Sequence, residues 1–159
     1  MSIIQDLYNI FDKEYAKHIS RKSSKNLVVI EISQNLSFIR EGLVSDIKAS
    51  NIIKDLDTAQ YKKATAEGVN LNSIQKKRLI KKTYGGAKEF EKYHNWTTEK
   101  LINKAYERID TLKKLNINKE NMNINSKLQY LFKFLMVLMA HIEEKHLTIS
   151  SSGRKKHAA

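Results

Sequence analysis

An all-α bundle of about five to six helices with an apolar C-terminal core helix is the fold class this sequence predicts, and three observations carry it. Proline is absent and glycine occurs five times in 159 residues, too little turn punctuation for an all-β chain. Apolar residues recur three and four apart over long stretches. Residues 126–147 are apolar nearly all round, as befits a helix that others must cover on every side. Length predicts one domain, residues 1–148, able to bury its own core without staples, followed by a disordered basic tail over 149–159.

The first expected helix covers about residues 2–20, where Ile3, Ile4, Leu7, Ile10, Phe11 and Tyr15 keep helical spacing. After the polar break SRKSSK, a longer helix is expected from about Lys25 to Leu56. Its stripe of Val29, Ile32, Leu36, Ile39 and Leu43 is narrow and near-heptad. Such a seam suits a partner helix in the same chain or a dimer mate, and self-association through it is expected. Gly68 in AEGVNLNS is a candidate helix stop, with Asn72 or Ser73 capping a third helix through Ile74, Leu79, Ile80 and Tyr84. Gly85 and Gly86 interrupt it. A short segment, residues 87–93, the turn HNW, and a helix capped by Thr97 or Thr98 and running to about Leu115 follow. An asparagine-rich loop leads into the apolar helix from about Ser126 to His146. Its Met136 and Met139 are expected in the core rather than on a flexible partner surface. With Lys133 inside it and fewer than the roughly 20 apolar residues of a membrane span, this helix is not expected to cross a bilayer.

Charge is unevenly spread. Residues 1–60 hold eight basic and eight acidic residues, whereas residues 61–114 hold fourteen against six, a net of +8 out of +12 for the chain. A neutral amphipathic half and a basic half suggest assembly for one and an anionic partner for the other. With no cysteine there is no disulfide, thiolate or cysteine zinc chemistry. That composition, with acidic residues where a cleavable leader would be apolar, fits a cytoplasmic location. Abundant Lys, Asn and Ile suggest an AT-rich bacterial or phage genome. No cofactor is expected.

The basic half centres on SIQKKRLIKKTYGGAKEFEKYHNWTTEKLINKAYERI. Lys76, Lys77, Arg78, Lys81 and Lys82 would form one compact patch on the third helix, and Lys88 and Lys92 extend the charge beyond the glycines. AKEFEKYHNWTTEKLINKAYERI loosely resembles a helix-turn-helix, a short helix, a tight turn and a capped second helix. Phe90, Trp96 and Leu101 supply its apolar contacts and Asn95 its left-handed turn residue. Glu91, His94 and Lys104 depart from the pattern at positions that want small or apolar residues. The resemblance implies a second helix offering Thr98, Lys100, Asn103, Lys104 and Glu107 to a groove, where lysine or asparagine reads base edges. Without base reading, Lys100, Asn103, Lys104 and Arg108 join the lysines as phosphate contacts, with Tyr84, Tyr93 and Trp96 stacking on unpaired bases. The plainest account of all these residues is the solvated face of a bundle.

Glu91-x-x-His94 and Glu143-x-x-His146 repeat the spacing of di-iron bundles, but charged neighbours stand where such a site needs an apolar interior, and no metal is expected. TYGGAKE lacks the spacing of a phosphate-binding loop, and there is no nucleophile elbow. The sequence therefore points to a non-catalytic protein that binds nucleic acid, DNA or RNA, through a basic helical face. The rival reading is a module of the immunity or antitoxin kind that covers an acidic protein.

Overall fold

The computed structural model describes residues 23–118 and 123–147. Among them are six α-helices and two 3-10 helices, with no strand, as the sequence predicts. The helix expected over residues 2–20 and the tail over 149–159 lie outside the described residues.

Helix α1, Ser24–Val44, starts where Ser23 accepts the backbone N–H of Asn26 on its hydroxyl. The sequence leads one to expect continuation to Leu56, but α1 stops at Val44. Asp46 takes the left-handed conformation (φ 56°), and the N–H of Ile47 turns back to the carbonyl of Gly42 at 2.9 Å. Helix α2, Ala49–Lys54, then folds against α1. Gly42 makes this possible, because a Cβ there would lie 2.5 Å from Cδ1 of Ile52. The reversal buries Ile52 and Ile53 completely, which one straight helix could not do.

Helix α3, Ala59–Ala66, ends as expected at Gly68 (φ 69°). The third helix does not form as expected. A 3-10 turn covers Leu71–Ser73, residues 74–80 are not helical, and only the single turn α4, Lys81–Tyr84, follows before Gly85. Long-range bonds displace the helical ones. The N–H of Leu79 donates to the carbonyl of Trp96 at 3.0 Å, and the N–H of Asn95 donates back to Leu79 at 2.8 Å. A 3-10 helix, Lys88–Tyr93, precedes the turn at Asn95 (φ 68°). Helices α5, Thr98–Ile117, and α6, Ile124–Ile142, complete the bundle, α5 capped by the Thr97 hydroxyl as expected.

Helix α6 is the centre, packed against α1, α2, α4 and α5. Its residues 134–142 are buried on every side, so Met136 and Met139 are core residues. No helix among the described residues is long and apolar enough to cross a membrane. The expected self-association seam is internal. Val29, Ile32, Leu36 and Ile39 are at most 2% exposed, Leu43 packs against the same core, and the chain's own α3 and α6 lie against α1. The narrow stripe reflects close packing by neighbours in the chain, and no dimer mate can reach it.

Two polar clusters are embedded in this core. Glu31, fully buried on α1, accepts the backbone N–H groups of Gln60 (2.7 Å) and Tyr61 (3.1 Å) and the hydroxyl of Tyr106 (2.8 Å). It thus caps α3 from another helix, where the N-cap residue Thr58 makes no side-chain capping bond. One turn later, Asn35 exchanges two hydrogen bonds with the backbone of Asp57. Tyr61 stacks on Tyr106 at 4.0 Å between centroids. Burial and Glu31 keep the Tyr106 phenol well above the usual tyrosine range. The second cluster joins the segment before α4 to the end of α6. The Thr98 hydroxyl donates to the carbonyl of Gln75 (2.6 Å) and so accepts from Nε2 of buried His141 (2.7 Å), while Gln75 donates to the carbonyl of Ile142. Burial lowers the His141 pKa to about 4, against the pull of Glu144.

Three outcomes follow for stability. Glu31→Gln leaves buried donors facing an amide group and is expected to cost about 3 kcal/mol, seen as a drop in melting temperature of roughly 10 °C. A loss under about 1 kcal/mol would mean the cap is dispensable. Leu36→Glu and Ile39→Glu are expected to unfold the chain by circular dichroism, not to divide an assembly in light scattering. For His141 the folded state holds its proton less tightly than the unfolded chain. Its contribution is therefore complete above about pH 6.5 and lost as pH falls towards 4. The melting-temperature gap between wild type and His141→Gln is expected to narrow over that window, and parallel pH profiles would contradict a buried neutral imidazole.

Candidate nucleic-acid interface

The expected basic residues divide into two groups. Lys76, Lys77, Arg78, Lys81 and Lys82 are exposed, but on a non-helical segment and a single helical turn rather than one helix face. Long-range anchors hold that segment: Leu79 is fully buried, and Arg78 donates to the carbonyl of Asn95 at 3.1 Å. Lys77 pairs with Glu144 at 2.7 Å beyond the end of α6, a fully exposed contact of small energetic weight. This group therefore lies beside the C-terminal end of α6. Lys76, Lys81, Lys82, Lys88 and Lys100 are all exposed, and none has an ion-pair partner among the described residues.

The second group gathers near the other end of α6, roughly 18 Å away along the helix from Ile142 to Tyr130. Lys92, Lys104 and Arg108 line a cleft of about 680 Å³ between α5 and the first turns of α6. Lys127 joins them there, a residue the sequence reading missed. Lys100, Lys104 and Arg108 stand four apart on α5 and so share one helix face, which the cleft continues at Thr111 and Leu115. Glu107 also lines the cleft and accepts from Lys104 at 3.4 Å.

Arg108 is the most constrained of these cations. Its guanidinium lies 4.6 Å from the Tyr130 ring centre, and its Nη2 donates to the Tyr93 hydroxyl at 2.5 Å. The two phenols meet at 3.2 Å. Burial opposes ionisation of Tyr93, but the bonds from Tyr130 and Arg108 and the charges of Arg108 and Lys92 outweigh it and hold its pKa below the usual range. Burial and the bond to Tyr93 push Tyr130 up. Either phenol can donate across that contact. Nε of Arg108 is buried without a hydrogen-bond partner among the described residues.

Several sequence expectations are corrected here. Tyr84 and Tyr93 are buried and cannot stack on bases; Trp96 is half-buried and packs edge-on against Tyr93 at 4.9 Å. The helix-turn-helix does not form as drawn. Its first helix is a 3-10 helix, Thr98 is buried against Gln75 and His141, and Asn103 accepts from the Tyr61 hydroxyl at 2.7 Å. A recognition helix needs those side chains free for base edges. Neither Glu/His pair lies on a helix face: Glu91 is in the 3-10 helix with His94 just past it, and Glu143 and His146 follow the end of α6. No three His, Asp or Glu side chains converge as metal ligands among the described residues.

Lys127 and Tyr130 eluded the sequence reading because they sit on the helix marked as apolar. Their signal was its polar opening, NSKLQY, a turn and a half before the apolar run. Glu31 was equally legible in principle, as a lone carboxylate within VVIEIS.

No family model, curated protein or solved structure matches this chain.

Proposed function

We propose that this chain is a non-catalytic nucleic-acid-binding protein whose lysines contact the phosphate backbone. The supporting observation is the set of exposed lysines without ion-pair partners among the described residues, Lys76, Lys81, Lys82, Lys88 and Lys100. A lysine without a carboxylate partner is free to neutralise a phosphate, and the release of the cations condensed along the nucleic acid is what drives sequence-independent binding. Lys77 and Lys104 contribute less, each already beside a carboxylate. With Thr98 and Asn103 hydrogen-bonded within the fold, backbone contact is favoured over base reading.

The test is a salt titration of fluorescence anisotropy with two unrelated DNA duplexes and one single-stranded RNA. Wild type is expected to bind all three with similar affinity at about 50 mM salt. Replacing Lys76, Lys81 and Lys82 together by Gln is expected to lower the slope of log affinity against log salt by roughly 2–3, about 0.7–0.9 per contact. Exposed substitutions of this kind leave stability within about 0.5 kcal/mol. If wild type binds none of the three, the reading fails and the basic surface passes to an acidic protein partner.

A further inference from the structure

We propose that the cleft between α5 and α6 is a phosphate-monoester site that receives the terminal phosphate of a nucleic-acid strand. The proposal rests on the nucleic-acid reading for its ligand, but on different residues and a different geometry. The exposed lysines suit a chain running over a surface, whereas the cleft is a concave space of about 680 Å³. That lies within the roughly 300–1,000 Å³ range of small-ligand sites and suits one nucleotide rather than a duplex.

Among the described residues, four cations, Lys92, Lys104, Arg108 and Lys127, line the cleft with one carboxylate, Glu107, which Lys104 already occupies. A phosphodiester brings a single negative charge to such a concentration. A phosphate monoester brings nearly two at neutral pH, with three strong acceptor oxygens. Arg108 is held in place for that ligand. Its Nη2 is committed to Tyr93 and its plane to the Tyr130 ring, so its rotamer entropy is already spent.

The first turn of α6 adds to this. Asn123, at the N-cap, makes no side-chain capping bond, and no acidic residue occupies the first turn. Asn123, Ser126 and Lys127 all border the cleft, so the positive end of a 19-residue helix meets the same space as the cations. Leu112 and Leu115 give the cleft an apolar wall against which a terminal base or sugar loses contact with water.

The experiment compares three single strands of one sequence carrying an internal fluorophore: one with a 5′ phosphate, one with a 3′ phosphate and one with neither. Adenosine monophosphate serves as a free competitor. At least one phosphorylated strand is expected to bind about tenfold tighter than the unphosphorylated one, and adenosine monophosphate to compete for that increment. Lys127→Gln, an exposed change, is expected to abolish the increment and leave binding of the unphosphorylated strand in place. Arg108→Gln is expected to abolish the increment as well, and Lys127→Gln keeps the question open to experiment if that variant fails to fold. Equal affinity of wild type for all three strands overturns the inference and leaves the nucleic-acid reading standing. Binding of adenosine monophosphate alone, lost in Lys127→Gln, supports the phosphate site and overturns the nucleic-acid reading. If neither strands nor adenosine monophosphate bind, both are overturned.

Discussion

The arrangement of this bundle depends on one buried carboxylate. Glu31 has no access to solvent and accepts three hydrogen bonds, two of them from the open N-terminus of α3. A buried charge is tolerable only with its lone pairs satisfied, and free N–H groups at a helix start are tolerable only with acceptors. Each therefore answers the other's need. Because Glu31 belongs to α1 and Tyr106 to α5, the same atom set fixes three helices at one point. Asn35, one turn further on, holds the chain entering α3, so that the loop after α2 has little freedom left.

The sequence was most legible where structure is set by local periodicity. The apolar character of α6, the Gly68 stop, the left-handed turn at Asn95 and the Thr97 cap all emerge from residue type and spacing. It was least legible where distant partners decide. Nothing local ends α1 at Val44, since the left-handed position there holds Asp46 rather than glycine; Ile52 and Ile53 gain burial only when the chain reverses. Residues 74–80 look helical because lysine, arginine, leucine and isoleucine tolerate a helix. They are instead held out of a helix by bonds from Leu79 to Asn95 and Trp96 and from Gln75 to Ile142, contacts between residues far apart in sequence. The same limit applies to the candidate site. Composition locates a basic half, but not the separation of its cations to opposite ends of α6, nor the arrival of Lys127 from a helix marked as apolar.

That separation has a physical consequence for how charge acts. Exposed lysines in water act through the ion atmosphere, and salt weakens them over about a Debye length, roughly 8 Å at physiological ionic strength. Cations in a concave site with apolar walls are screened less and act at shorter range. One chain thus carries two kinds of positive charge. Lys76, Lys81 and Lys82 set long-range attraction, whereas Arg108, fixed by two tyrosines, is suited to a single geometry.

The contact between Trp96 and Tyr93 gives the molecule an optical property. Trp96 is the sole tryptophan, half-buried, with its ring edge-on to Tyr93 at 4.9 Å. The hydroxyl of that tyrosine is bound to the guanidinium of Arg108, which lines the cleft. Indole emission follows the polarity and ionisation of its immediate neighbours, so any shift of Arg108 reaches the indole through one intervening ring. The protein therefore carries an intrinsic fluorophore, uncomplicated by any second indole, coupled to the state of its own cleft.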